Sequence, residues 1–287
     1  MRVPFLLLAP VCVLLGIGTA LDEAGRLDLF AVLLALIGGV TAHISVNALN
    51  EYVDCVSGLD ARTQRTAFSG GSGVLPEHPE MARVALDVGV AALVVTVGIG
   101  VYFAIQRGPG ILPLGLLGVL VIIAYTPWLT RQPVLCLVAP GLGFGVLMVI
   151  GTHFVLTGHY SWTAFVASLV PFFLVNDLLL LNQFPDVDAD RSVGRKHILI
   201  ALGPRRGSLV YGLFLGATYL VIIAGVLEGL LPKMSLLGLL TLPVAIRAMI
   251  GAYRHATDIP RLLPYLGLNV ILSLLTPVLV AIGFFVR

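Results

Sequence analysis

Nine apolar runs, each close to 20 residues long, set what this chain can fold into. A bilayer hydrocarbon core about 30 Å thick takes roughly 20 apolar residues per helix. By that ruler the 287 residues give runs at about 3–21, 28–50, 82–105, 110–129, 134–156, 162–182, 208–227, 235–252 and 263–285. No water is available in hydrocarbon to satisfy backbone N–H and C=O groups, so each run reads as a helix. The expected fold is all-α: a polytopic membrane bundle of nine transmembrane helices with a central cavity, in a single membrane domain over 1–287. Several connections are short and carry glycine or proline, as at Gly108-Pro109, Thr126-Pro127, Gly203-Pro204 and Ile259-Pro260. Two are longer and polar, at about 51–81 and 183–207. The first run follows Arg2 and ends in Gly18-Thr19-Ala20, which resembles a cleavable signal peptide. It is also long enough to span, and it is counted here as a span.

Composition excludes the main alternatives. Charged residues make up 11%, against about 25% for an ordinary soluble domain, too few to coat a globular surface. No basic run suits nucleic acid. Cys12, Cys55 and Cys136 are scattered without metal-ligand spacing.

The positive charges orient the bundle. Of 17 Lys and Arg, 13 fall on the side of the N-terminus and the loops after spans 2, 4, 6 and 8; Arg26, Arg107, Lys233 and Arg287 fall on the other. The excess of cations marks the cytoplasmic side. The expected setting is the inner cell membrane, crossed many times, with the N-terminus and both polar loops in the cytoplasm.

Acidic residues number only 15, and they cluster. One cluster reads Asn50-Glu51-Tyr52-Val53-Asp54, then Gly58-Leu59-Asp60-Ala61-Arg62-Thr63-Gln64-Arg65. The other reads Asn182-Gln183-Phe184-Pro185-Asp186-Val187-Asp188-Ala189-Asp190-Arg191, then Gly194-Arg195-Lys196. Each closes an even-numbered span, so both lie on one membrane face. Residues at i, i+4 and i+8 share a helical face. Asn182, Asp186 and Asp190 would therefore form a ladder, as would Asn50 and Asp54. Carboxylates converging at one end of a bundle need a cation. Oxygen-only ligands suit Mg²⁺, which completes its shell with substrate phosphates. Neighbouring Arg and Lys could clamp the remaining phosphate oxygens. The pattern points to a lipid diphosphate held through Mg²⁺.

These motifs resemble those of the UbiA superfamily of intramembrane prenyltransferases, and the resemblance covers nearly the whole chain. It rests on the paired Asn-x-x-x-Asp signatures with a further Asp downstream, on Arg62-Thr-x-x-Arg65, and on Asp190-Arg191-x-x-Gly194-Arg195-Lys196. Finer features are similar to the branch that prenylates 1,4-dihydroxy-2-naphthoate in menaquinone synthesis. They are Asn50-x-Tyr52-x-Asp54, Gly70-Gly71-Ser72-Gly73-Val74-Leu75, and the stretch from Gly145 to Gly158. Glu51 and Pro185 depart from that branch, which usually carries Asp or Thr and Arg there.

The resemblance implies Mg²⁺-dependent transfer of an isoprenyl group from a polyprenyl diphosphate to an aromatic acceptor. Asp54, Asp60, Asp186 and Asp190 would hold the metal, with Asn50 and Asn182 supporting. Arg62, Arg65, Arg195 and Lys196 would meet developing diphosphate charge. Tyr125 and Arg131 flank the connection after span 4 on the motif face, where the family carries similar residues. Asp177 lies inside span 6, and an intramembrane carboxylate is a functional candidate; here it would position the acceptor or take a proton. His43 and His153, also inside spans, read as interhelical donors. Gly141, Gly143 and Gly145 read as close helix contacts.

Other acceptors used in the superfamily remain open: 4-hydroxybenzoate, chlorophyll or haem precursors, and glycerol-phosphate lipids. A secondary transporter is the reading from outside the class, although transporter sites lie near the midplane and these carboxylates lie at span ends.

Overall fold

The structure is a computed structural model that describes residues 3–63, 65, 66, 68–71 and 73–286. Arg2 and Arg287 of the charge count, and Gln64 and Ser72 of the quoted motifs, lie outside the described residues. Every regular element described is helical. In chain order the α-helices are α1 (Leu8–Ala24), α2 (Leu29–Val56), α3 (Val74–Glu77), α4 (Ala82–Arg107), α5 (Leu112–Ala124), α6 (Pro133–Gly141), α7 (Met148–Thr157), α8 (Trp162–Asn182), α9 (Val187–Ser192), α10 (Ile198–Leu202), α11 (Pro204–Leu227), α12 (Leu242–Arg254) and α13 (Ile259–Phe285). Eight helical stretches are long and apolar enough to cross a membrane, and Pro109–Ala124 is a shorter apolar ninth. These fall on the nine runs of the sequence. The protein is an integral membrane protein.

Span 5 is one stretch, Pro133–Thr157, but not one regular helix. Pro140 lies inside α6, and the turns Leu142–Leu147 that join α6 to α7 are π-helical. Proline takes one donor out of the ladder, and a π-bulge re-registers the turns beyond it. The Gly141 N–H donates instead to Asn176 Oδ1 of α8, at 2.5 Å. Asn176 is thereby a structural tie between spans 5 and 6.

α8 is the central helix, packed against α1, α6, α11 and α13. Its residues Leu174, Val175, Leu178, Leu180 and Leu181 are all inaccessible or nearly so. Two glycines set the approach of span 5 to it. A Cβ on Gly141 would lie 2.1 Å from Phe172 O, and one on Gly145 would lie 2.5 Å from Phe172 N. These two read correctly from sequence as contact glycines; around Gly143 there is nothing within 4 Å.

The remaining spans divide in two. α11 and α13 close on α8 from one flank and carry α12 and the 3₁₀ stretch Lys233–Thr241, with Tyr211, Leu262, Leu266 and Leu272 fully buried. On the other flank α2 and α4 pair along their lengths and α5 leans on both. Between that wall and the α1, span 5 and α8 wall runs a cavity of about 560 Å³. The first six spans and their loops form it.

Candidate active site

Helix α2 runs six residues further than the sequence reading placed it, to Val56, so Asn50 and Asp54 share its last turns. Gly58 then adopts φ +72°, a left-handed conformation that glycine takes without a Cβ penalty. The chain turns back, with Leu59 N–H donating to Asp54 O at 3.0 Å. The turn delivers Asp60 to the same cavity end as Asp54.

The second motif is built differently from the expected ladder. α8 ends at Asn182, and α9 begins at Val187. Pro185 sits between them and cannot donate a backbone hydrogen bond. Asn182, Asp186 and Asp190 therefore do not lie on one continuous helix. All three nevertheless line the same cavity end, because a short turn replaces the helix and Asp190 N–H donates back to Asp186 O at 2.8 Å.

Arg195 joins the two motifs. Its guanidinium donates to Asp54, and at 3.0 Å to Asp190 Oδ1. It is the one guanidinium lining the cavity among the described residues, against five carboxylates: Glu51, Asp54, Asp60, Asp186 and Asp190. One cation does not balance five acids in so enclosed a place. Burial, with Asp190 beside it, pushes the Asp186 carboxyl up to about 7, and burial and then Glu51 raise that of Asp60. Ser69 and the Gly70 N–H hydrogen-bond Asp186, yet its Oδ1 is buried without a partner, as is Oδ1 of Asn182. Asn50 donates its amide nitrogen to Thr126 Oγ1 at 3.0 Å.

Tyr125 also lines the cavity. Its connection is pinned to the second loop, since Lys196 N–H donates to Thr130 O at 2.9 Å. The walls beyond are apolar. They pass Val46, Phe144, Leu147 and Val119 and reach Phe103, Ile111 and Val155, which lie by the α4–α5 and α7–α8 connections on the opposite membrane face.

The structure does not bring every candidate to this place. Arg62 is exposed and donates to Ser192 Oγ at 3.1 Å, tying the two loops from outside. Arg65 lies 3.6 Å from Glu77 and packs where a Cβ of Gly73 would stand. Arg131 and Lys196 are exposed, and neither lines the cavity. Asp177 is fully buried in α8 and is not a lining residue. One α-helical residue turns 100°, so it faces away from its neighbours Leu178 and Leu179, which do line the cavity. Sequence reading gave no site role to three lining residues. Glu51 stood inside the first motif but off the Asn–Asp spacing. His197, two beyond Arg195, is buried with Nε2 3.2 Å from Asp190 Oδ2. Gly71 has φ +65° and sits where a Cβ would be 3.4 Å from Asp60 Oδ1.

Among the described residues, eight long spans and one shorter apolar helix enclose a deep apolar cavity with two facing acidic motifs at its mouth. The family model described as the UbiA prenyltransferase family matches residues 9–266, and the chain belongs to that family. It is a prenyltransferase. Among curated proteins it is similar to a 1,4-dihydroxy-2-naphthoate octaprenyltransferase of Bacillus subtilis (strain 168), at 25% identity over 84% of this chain and 76% of that one. It is also similar to a 2-carboxy-1,4-naphthoquinone phytyltransferase of Synechocystis, at 22% identity over 89% and 82%. Among solved structures, the apo structure of a UbiA homolog from Aeropyrum pernix K1 superposes with a TM-score of 0.76, at 20% identity over 100% and 98% of the chains. A UbiA homolog from Archaeoglobus fulgidus bound to DMAPP and Mg²⁺ gives 0.62, at 17% identity and 99% of both chains.

Proposed function

We propose that this protein transfers an isoprenyl group from a polyprenyl diphosphate to 1,4-dihydroxy-2-naphthoate, in menaquinone biosynthesis, at the cytoplasmic face of the inner membrane. The observation that carries the transfer chemistry is the convergence of five carboxylates and one guanidinium at the mouth of an apolar cavity. The acceptor rests on the two naphthoate-acting relatives. The facing rests on the cation count of the sequence.

The donor set fits Mg²⁺. It is all oxygen, and two of its atoms, Asp186 Oδ1 and Asn182 Oδ1, are buried without hydrogen-bond partners. Such orphaned acceptors are costly unless something satisfies them. Asp54, Asp60, Asp186 and Asp190 would hold the metal, with Asn50 and Asn182 assisting. Bound Mg²⁺ would supply neutralisation of the leaving diphosphate's charge.

The chain's own residues do the rest. Arg195, fixed between the motifs, offers the diphosphate a planar set of donors. Arg62, Arg65, Arg131 and Lys196, exposed on the same face, raise the local concentration of an anionic headgroup. As the bond from the allylic carbon to the diphosphate oxygen breaks, the carbocation lies between apolar walls that keep water from capturing it. The electron-rich ring then forms the new C–C bond, and with dihydroxynaphthoate the ring carboxylate leaves as CO₂. Tyr125 stands at the cavity end where ring and diphosphate meet.

Purified protein incubated with a labelled polyprenyl diphosphate and Mg²⁺ tests this. Prenylated, decarboxylated naphthol from dihydroxynaphthoate is the expected product. No product there, but product from 4-hydroxybenzoate or a glycerol phosphate, overturns the acceptor while leaving the family intact.

A further inference from the structure

On the membrane face opposite the acidic motifs, three side chains converge that the transfer reaction does not use. Glu23 comes from the last turn of α1, His153 from the last turns of α7, and His159 from the α7–α8 connection. One ligand atom from each lies within 4.8 Å of the others. His159 Nε2 meets Glu23 Oε1, and His153 Nε2 lies 3.4 Å from Glu23 Oε2.

The hydrogen bonds favour one nitrogen of His153 as the free one. Thr19 Oγ1 donates its single proton to Gly16 O at 2.9 Å. Toward His153 Nδ1, 3.1 Å away, it can then only accept. With the Thr19 proton on Gly16 O, the proton of a neutral imidazole sits on Nδ1, and Nε2 carries a lone pair. That lone pair faces a carboxylate oxygen, and Nε2 makes no hydrogen bond in a ring with no solvent exposure. Two acceptors set face to face call for a proton or a metal cation between them. A ring N–H held by an oxygen acceptor is also the outer-shell arrangement that orients metal-bound histidines.

We propose that Glu23, His153 and His159 form a second metal site, for a borderline transition-metal ion of the Zn²⁺ class, separate from the Mg²⁺ site and on the other membrane face. Two imidazoles and one carboxylate suit Zn²⁺ rather than Mg²⁺, which takes oxygen ligands. Three protein ligands leave the fourth tetrahedral position to water. Glu23 and His159 are partly exposed, which gives the ion a path in from the aqueous side. Bound there, it would clamp the end of α1 to α7 and the connection into α8.

The test is metal binding by the whole protein in detergent, with any histidine tag removed, in excess Mg²⁺. After chelator treatment the wild type should take up about one Zn²⁺ per chain, and Co²⁺ in its place should give visible absorption of histidine-ligated metal. Zn²⁺ should raise the wild-type Tm. The exposed variants His159→Ala and Glu23→Gln should keep their fold yet bind Zn²⁺ more than ~10-fold more weakly, since loss of even an outer-shell partner costs 10- to 100-fold. Failure of the wild type to retain Zn²⁺ or Co²⁺ against Mg²⁺ would overturn the proposal. So would equal uptake by wild type and both variants. An ion pair with protonated His153 would give that first result, with a Tm indifferent to Zn²⁺.

Discussion

Asp54 and Asp186 carry the clearest residue-scale consequences. Each sits in a different motif, and both line one cavity end. Asp54→Ala and Asp186→Ala should each lower Mg²⁺-dependent turnover by at least ~100-fold, the scale of removing one preorganised electrostatic group, with thermal unfolding little changed. Wild-type rates in both variants would remove the metal assignment. The raised carboxyl of Asp186 also sets a pH dependence. Burial lifts it to about 7, so without metal it is mostly protonated below that pH. A metal must displace this proton. Apparent Mg²⁺ affinity should therefore rise with pH across the region around 7 and flatten above it. Titration of binding at several pH values checks the sign, and affinity that falls with rising pH would contradict it. Asp177 shows the limit of residue-level reading. Its position inside a span was visible in the sequence; the face of α8 it occupies was not, because that helix is apolar all round and gives no pattern to orient it.

At the scale of elements, the close approach of span 5 to α8 decides where the cavity wall stands. Gly141 and Gly145 meet α8 backbone atoms, which cannot swing aside as a side-chain tip can. Gly141→Ala and Gly145→Ala should each destabilise the protein by about 1–3 kcal/mol, as overpacking does. Gly143→Ala, with open space around it, should leave the Tm unchanged. Thermal unfolding in one detergent compares the three, and equal Tm values for all would refute the contact. Sequence showed three glycines at alternate positions, but not which two touch. The π turns at Leu142–Leu147 shift the register there, and no 3.6-residue count anticipates such a shift. The second motif holds the same lesson. Its spacing fits a helical ladder, and Pro185 breaks that ladder; the turn still brings all three residues to the cavity.

For the whole molecule, the proposed transfer makes the cavity's reach the limit on isoprenoid length. It runs from the acidic mouth to Ile111 and Phe103 by the opposite face, so it has room for an isoprenoid lying along the membrane normal. Gly115 lies on its wall in α5, near the far end, with nothing within 4 Å of where its Cβ would be. Gly115→Phe should shorten the longest polyprenyl diphosphate accepted while leaving turnover of short ones near wild type. A chain-length profile of products measures this, and an unchanged profile would place the isoprenoid elsewhere.

Sequence alone determined the nine spans and the pairing of two acidic motifs on one face. Both follow from local rules: hydrocarbon thickness fixes run length, and the parity of spans fixes the side. It also marked Asn50, Asp54, Asp60, Asn182, Asp186 and Asp190, since charge in so apolar a chain stands out. Tertiary structure alone decided which cations reach the cavity. Arg195 does, while Arg62, Arg65, Arg131 and Lys196 stay outside it. It also brought Glu23, His153 and His159 together from separate elements. Such meetings depend on how helices pack and where loops turn, and packing among nearly uniform apolar surfaces leaves no periodic trace in the sequence that produces it.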